Sequence, residues 1–168
     1  EGRPLDAESK KALHSSVLDV QKKLRSRLLE FEDRNTIEKD FSTGLRLFLS
    51  RRYFNAERRL NFEFETEIER SPIRSEDLNH FLSIIHEIAN NDLKYGTGAS
   101  SWKIQMDGNS MTVSFEAETV REEDRAHSGK GQSTIKRRAA IIHSEFKDET
   151  VSGRYRAELI IPVADLFS

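Results

Sequence analysis

The hydrophobic period of this chain changes at Leu60, and that change sets what it can fold into. Before it, Leu13, Val17, Val20, Leu24, Leu28 and Phe31 step by three or four residues with charges between them. That spacing predicts an amphipathic helix from Leu5 to about Asp33. Asp33-Arg34-Asn35-Thr36 then offers a break, with Asn35 or Thr36 as a fresh N-cap. A second helical run, Ile37, Phe41, Leu45, Phe48 and Leu49, leads to Tyr53 with Gly44 inside it. Two such helices on a short turn predict an antiparallel hairpin over residues 1–58. Each helix carries one apolar seam that a lone hairpin leaves uncovered. The hairpin therefore either dimerises into a four-helix bundle or packs onto a second domain of its own chain.

From Leu60 the period is two. Leu60, Phe62, Phe64, Thr66 and Ile68 alternate with Asn61, Glu63, Glu65 and Glu67, the pattern of a half-buried strand. Ser75 is the predicted N-cap of a helix running to about Tyr95, with Gly96 at the C′ position beyond it. Strands over 101–106 and 110–115 follow, joined at Asp107-Gly108, a strong hairpin signal. Residues 118–130 read as a polar loop. A helix over 133–143 turns Ile135, Ala139 and Ile142 inward, and a strand covers 155–162. The predicted class is α+β: the hairpin, then a sandwich over residues 59–168 with helices on one face of a mixed sheet.

Composition excludes more than it assigns. The chain has no cysteine, so it holds neither disulfides nor thiolate metal sites. No apolar run reaches the ~20 residues of a membrane span. It starts at Glu1 without a methionine, which reads as part of something longer. Net charge is −2, and no basic stripe with interleaved aromatics suggests nucleic acid.

Chemistry concentrates in Ile85-His86-Glu87-Ile88-Ala89-Asn90-Asn91-Asp92-Leu93-Lys94-Tyr95-Gly96. Glu87, Asn91 and Lys94 stand at i, i+4 and i+7, within a sector of roughly 60° on one helix face. Phe81, Ile84, Ile85 and Ile88 lie mainly to the other side. A carboxylate that orients a water or hydroxyl, an amide oxygen for a hard cation and a lysine for phosphate suit a magnesium nucleotide. A solvated polar face gives the same spacing. Further on, Ser128-Gly129-Lys130-Gly131-Gln132-Ser133-Thr134-Ile135-Lys136-Arg137-Arg138-Ala139 places two glycines at a helix start. There, backbone N–H groups can approach phosphate oxygens and the helix dipole assists.

The spacing Glu-x-x-Asn-Asn-x-x-Lys-Tyr resembles the N box of the GHKL ATPase superfamily, and within it that of the sensor histidine kinases. The segment from Gly129 to Arg138 resembles that family's second glycine box, with Gln132 where the family has leucine. The element order looks like a histidine kinase core, a dimerisation and phosphotransfer hairpin followed by a catalytic ATP-binding domain. The resemblance implies ATP and Mg²⁺ as cofactors, with Glu87 polarising the nucleophile or a water. It further implies Asn91 as the magnesium ligand, Lys94 and Tyr95 at the phosphates, and Gly129, Lys130 and Gly131 cradling them. It implies a homodimer through the hairpin, phosphoryl transfer to a histidine and on to a response regulator receiver domain, and a cytoplasmic setting, whether free or as part of a membrane-anchored sensor. His14, in Leu13-His14-Ser15-Ser16, is the phosphoacceptor candidate, although the family's acidic neighbour is Ser15 here. His86 matches a histidine of one family branch and reads as a structural helix residue. His80, His127 and His143 lie in no such context.

One box departs from the family. After the strand at 110–115 the family carries Asp-x-Gly-x-Gly, whose aspartate accepts the adenine amino group; this chain reads Ser114-Phe115-Glu116-Ala117-Glu118-Thr119. Glu116 or Glu118 would have to accept that bond from a shifted backbone. Two functions therefore follow: an ATP-dependent protein-histidine kinase, or a kinase-like dimerisation and phosphorelay module without ATP hydrolysis.

Overall fold

The computed structural model describes residues 6–119 and 129–163. Helix α1 (Ala7–Lys39) begins at Asp6, whose side chain accepts the Ser9 N–H at 2.7 Å. The break expected at 33–36 does not occur. Thr36 lies inside the helix and donates its hydroxyl back to the Glu32 carbonyl at 2.9 Å, a bond that makes a capping residue tolerable mid-helix. The chain turns instead at Asp40. Its N–H still reaches the Thr36 carbonyl, while its carboxylate accepts both the N–H and the hydroxyl of Thr43, at 3.0 and 2.9 Å. One residue thus closes α1 and caps α2 (Phe41–Asn55).

Gly44 makes this tight reversal possible. A Cβ there would stand 2.6 Å from both the Cα and N of Ile37 on α1. Gly44→Ala is expected to lower stability by about 1–3 kcal/mol, because the backbone clash exceeds the ~1 kcal/mol that alanine gains in helix propensity. Urea unfolding with an unchanged m-value would measure it.

Among the described residues five strands form one sheet in the order β1-β2-β3-β5-β4, comprising β1 (Leu60–Phe64), β2 (Gly96–Asp107), β3 (Ser110–Thr119), β4 (Glu145–Val151) and β5 (Arg154–Pro162). Strands β1 and β2 are parallel, joined by the crossover helix α3 (Ser75–Tyr95); the other pairs are antiparallel. Helix α4 (Gly129–Ile141) connects β3 to β4. The sheet is mixed, as expected.

Strand β1 is shorter than its alternation. Beyond Phe64 the chain leaves the sheet, and the carbonyls of Glu69 and Ile68 accept the first amides of α2, Phe41 and Ser42, each at 3.0 Å. Those amides have no partner within their own helix, so the strand pattern yields to a helix end. At the start of α3, Ser75 is the first helical residue rather than the cap, and the cap position falls to Arg74 without a side-chain bond. Gly96 is extended (φ −78°) and opens β2, so no left-handed turn follows α3. A glycine is still required there, since a Cβ would fall 1.9 Å from Asp92 Oδ1. Of the loop read at 118–130, residues 118–119 belong to β3 and 129–130 to α4, and 120–128 lie outside the described residues.

Strand β4 was not legible in the sequence. Its inward positions are Phe146, Asp148 and Thr150, so its helix-facing side carries only one apolar residue. Ser152 and Gly153, both at positive φ, make the turn into β5.

One hydrophobic core lies between the sheet and the helices. It takes Ile37 from the end of α1, five large residues of α2 from Phe41 to Tyr53, the Phe81–Ile88 stripe of α3, Ile135 and Ala139 of α4, and the inner face of the sheet from Trp102 to Ile161. Of the two outcomes open to the hairpin, α2 takes packing onto its own chain. The earlier part of α1 does not follow it. Leu13, Val17, Val20, Leu24, Leu28 and Phe31 stay between 45% and 63% exposed. Among the described residues no helix is long and apolar enough to cross a membrane.

Candidate functional site

Helix α3 buries Phe81, Ile84, Ile85 and Ile88 and leaves Glu87 and Asn91 half-buried on the flank beside that stripe, about 90° round the helix from its centre. The first turn of α4 lies across that side. A Cβ on Gly131 would stand 2.7 Å from Glu87 Oε1 and 3.2 Å from Asn91 Nδ2. The two motifs, some 40 residues apart in sequence, therefore meet, with Gly131 backbone directly against the carboxylate and the carboxamide. Gln132, next in α4, donates to Asp148 Oδ2 of β4 at 2.6 Å and ties the turn to the sheet. Lys136 and the Tyr155 hydroxyl reach the same carboxylate, at 3.9 and 3.4 Å. Lys94 is exposed, its Nζ 4.8 Å above the Tyr95 ring. Gly129 and Lys130 are the first two residues of α4; the Lys130 side chain lies outside the described residues.

Behind this face sits a polar network that the sequence did not reveal. Asp92, immediately after Asn91, is buried and accepts the Tyr53 hydroxyl at 2.8 Å, the Ser100 hydroxyl, and Arg58 Nη2 at 3.2 Å. Arg58 also donates to the Asp92 and Gly96 carbonyls, and Trp102 Nε1 donates to the Tyr53 oxygen at 3.1 Å. Burial, followed by the Asp92 charge, pushes the Tyr53 hydroxyl far above the usual tyrosine range, so it remains a donor. On the other side of Glu87, His86 Nδ1 lies 3.1 Å from Arg52 Nη2. Burial and the Arg52 charge hold His86 below the ordinary imidazole range, leaving Nδ1 free to accept. A signal for Asp92 existed only as an acidic residue at an inward helix position, 39 residues from Tyr53.

One expectation meets a correction. Strand β3 runs unbroken from Ser110 to Thr119, paired on both edges through the segment where the family's glycine turn would stand. Glu116 and Glu118 point to the outer face of the sheet. There Glu116 takes Arg154 and Arg156 at 2.6 and 3.0 Å, and Glu118 lies 3.8 Å from Arg154. Neither faces the helix side, where Phe115 and Ala117 are buried, so neither substitutes for an adenine-binding aspartate. His14 is exposed on α1, 19 residues before Asp33, the point at which α1 meets Arg51 of α2. At 1.5 Å per residue that is about 28 Å along the helix, so His14 is not brought to Glu87 within one chain. His80 meets Arg138 across α3 and α4; His143 is exposed at the left-handed residue after α4; His127 lies outside the described residues.

A scan against protein-family models finds no match, and no curated protein sequence is recognisably similar. The fold has clear likenesses among solved structures. It superposes on the Erythrobacter litoralis EL346 blue-light activated histidine kinase with a TM-score of 0.65 and 12% identity, over 90% of this chain and 51% of that one. It superposes on Acinetobacter baumannii histidine kinase AdeS at 0.57 and 13%, over 97% and 88% of the two chains. For the catalytic domain of histidine kinase ThkA the values are 0.54 and 12%, over 71% and 93%. The chain spans about half the length of the EL346 protein. Its fold is that of a histidine kinase core.

Proposed function

We infer that the chain binds a magnesium nucleotide between α3 and the first turn of α4, and that it is the catalytic portion of a protein-histidine kinase. The observation that carries this reading is Gly131 seated against Glu87 and Asn91, at a contact any side chain would fill. In this reading the Asn91 carboxamide oxygen is the protein ligand of Mg²⁺, Lys94 and Tyr95 flank the phosphates, and the N–H groups of Gly129, Lys130 and Gly131 receive phosphate oxygens. Bound magnesium neutralises charge on those oxygens. Glu87 holds the acceptor and takes up its proton.

The acceptor in this reading is His14, supplied by a second copy. The exposed stripe of α1 suits that arrangement, because Leu13, Val17 and Val20 recur eleven residues on as Leu24, Leu28 and Phe31. An eleven-residue repeat favours a nearly straight or right-handed helix pair rather than the usual left-handed coil. With the main apolar stripe of α2 committed to the core, each protomer offers α1 as its exposed apolar stripe. Onward transfer is to a response regulator receiver domain.

A second reading is a kinase-like module without ATP hydrolysis. The unbroken β3 and the outward Glu116 and Glu118 favour it, since the base would have no carboxylate from that strand. Calorimetric titration of ATP and ADP, with and without magnesium, separates the two readings. Micromolar, magnesium-sensitive binding supports the kinase, and no heat at millimolar nucleotide removes it.

Gly131→Ala sharpens the kinase reading. The new methyl group meets the flexible end of Glu87 and alanine suits a helix, so stability is expected to change by less than about 1 kcal/mol. Magnesium-nucleotide affinity is expected to fall about tenfold, because Glu87 and Asn91 must turn away. Equal losses of stability and affinity would contradict the assignment.

A further inference from the structure

We propose that Arg52 and Tyr53, consecutive residues of α2, are positioning residues that grip α3 from behind and set the direction in which Glu87 and Asn91 face α4. This rests on the magnesium-nucleotide reading of that face. Arg52 meets His86, the residue before Glu87, and Tyr53 meets Asp92, the residue after Asn91. At about 100° per residue, the bisector of His86 and Asp92 points away from the Glu87–Asn91 face by roughly 180°. The two grips are six residues, or about 9 Å, apart along the axis. Two contacts at that separation resist both rotation and tilt of α3. A rotation of about 20° would carry side-chain atoms at a radius of about 5.5 Å through about 2 Å, enough to misplace a metal ligand.

Stability alone does not account for Arg52. Its guanidinium is half-buried over the Phe48 ring at 4.4 Å, its Nε is buried without a partner among the described residues, and its hydrogen bond goes to an imidazole rather than to a carboxylate. A buried donor left unpaired is a cost that an apolar side chain would avoid, and such groups are kept where geometry matters. The grip also reaches α1, because the neighbouring Arg51 pairs with Asp33 of that helix. A displacement of α1 therefore acts on α2 directly, and through it on the aim of the Glu87–Asn91 pair.

The test uses the full chain with Tyr53→Phe, Arg52→Met and, as a control, Phe54→Ala, whose ring is 82% exposed on the same helix. The Asn91 side-chain amide is followed by nitrogen-edited NMR, and ADP affinity is measured with and without magnesium. Tyr53→Phe and Arg52→Met are each expected to shift the Asn91 amide resonances. They should also lower magnesium-dependent affinity at least fivefold while leaving metal-free affinity within twofold, with Phe54→Ala changing neither. A merely structural role would lower the unfolding midpoint and leave the magnesium increment intact, and that result overturns the proposal. If the wild-type chain shows no magnesium-dependent binding, the nucleotide reading fails by itself. The Asn91 resonances then decide: unchanged in both variants, they overturn the grip, and shifted, they uphold it. Should Tyr53→Phe not fold, Arg52→Met, at a position nearer the surface, decides alone.

Discussion

Asn91→Ala is expected to abolish magnesium-dependent nucleotide binding while leaving the fold intact. The carboxamide is half-buried, lies where any side chain on Gly131 would meet it, and among the described residues has no hydrogen bond to a buried partner on which the core depends. Its removal in a helix interior costs little, since alanine is the better helix former. If Asn91 ligates magnesium as proposed, its loss should exceed the 10–100-fold typical of groups that only orient ligands, so the magnesium increment should fall by at least about a hundredfold, ~2.7 kcal/mol. Calorimetry at matched free magnesium gives the number. Glu87→Gln keeps the volume and removes only the charge. It is expected to retain binding and lose transfer, a split that tells a group acting on the acceptor from one acting on the metal. Binding unchanged in Asn91→Ala would take the metal role away from this residue.

Asp92→Ala is the substitution expected to damage the fold most. Its carboxylate is 1% exposed and receives two hydroxyls and a guanidinium that is itself only 17% exposed. Removing it leaves the Arg58 charge without its partner, and breaking a buried pair from one side costs about 3–5 kcal/mol. Against the 5–15 kcal/mol of a typical domain that is a large fraction. Asp92→Asn retains an acceptor oxygen for Tyr53 and is expected to lose distinctly less. Equilibrium urea unfolding of both variants compares them at a common m-value. Equal, small losses would mean that Arg58 relaxes to solvent and the network is dispensable.

The sequence was most legible where partners are close along the chain. The apolar residues read as inward on α2, α3 and α4 from their 3.6-residue spacing each proved buried. The β2–β3 hairpin was readable from Asp107-Gly108, and Gly108 indeed takes a left-handed φ of 54°. Errors arose where two local signals competed. Thr36 has the chemistry of a cap, but Asp40 captures two donors of Thr43 and takes the role. Alternation through Ile68 indicated a longer strand, yet the orphan amides of α2 claim those carbonyls. Strand β4 escaped because Asp148, on its inward face, answers to Gln132 and Tyr155 rather than to an apolar neighbour.

By itself, then, the sequence determined the elements other than β4, the buried faces of α2, α3 and α4, and the common face of Glu87 and Asn91, because helical and strand periods act over a few residues. The tertiary structure alone decided that Gly131 lies on that face, that α2 and the end of α1 join the core while the earlier part of α1 stays exposed, and that Arg52, Tyr53 and Arg58 converge on His86 and Asp92 across 34 to 39 residues. Such contacts leave no periodic trace. They arise only when packing removes water and each buried polar group must find a partner from another element.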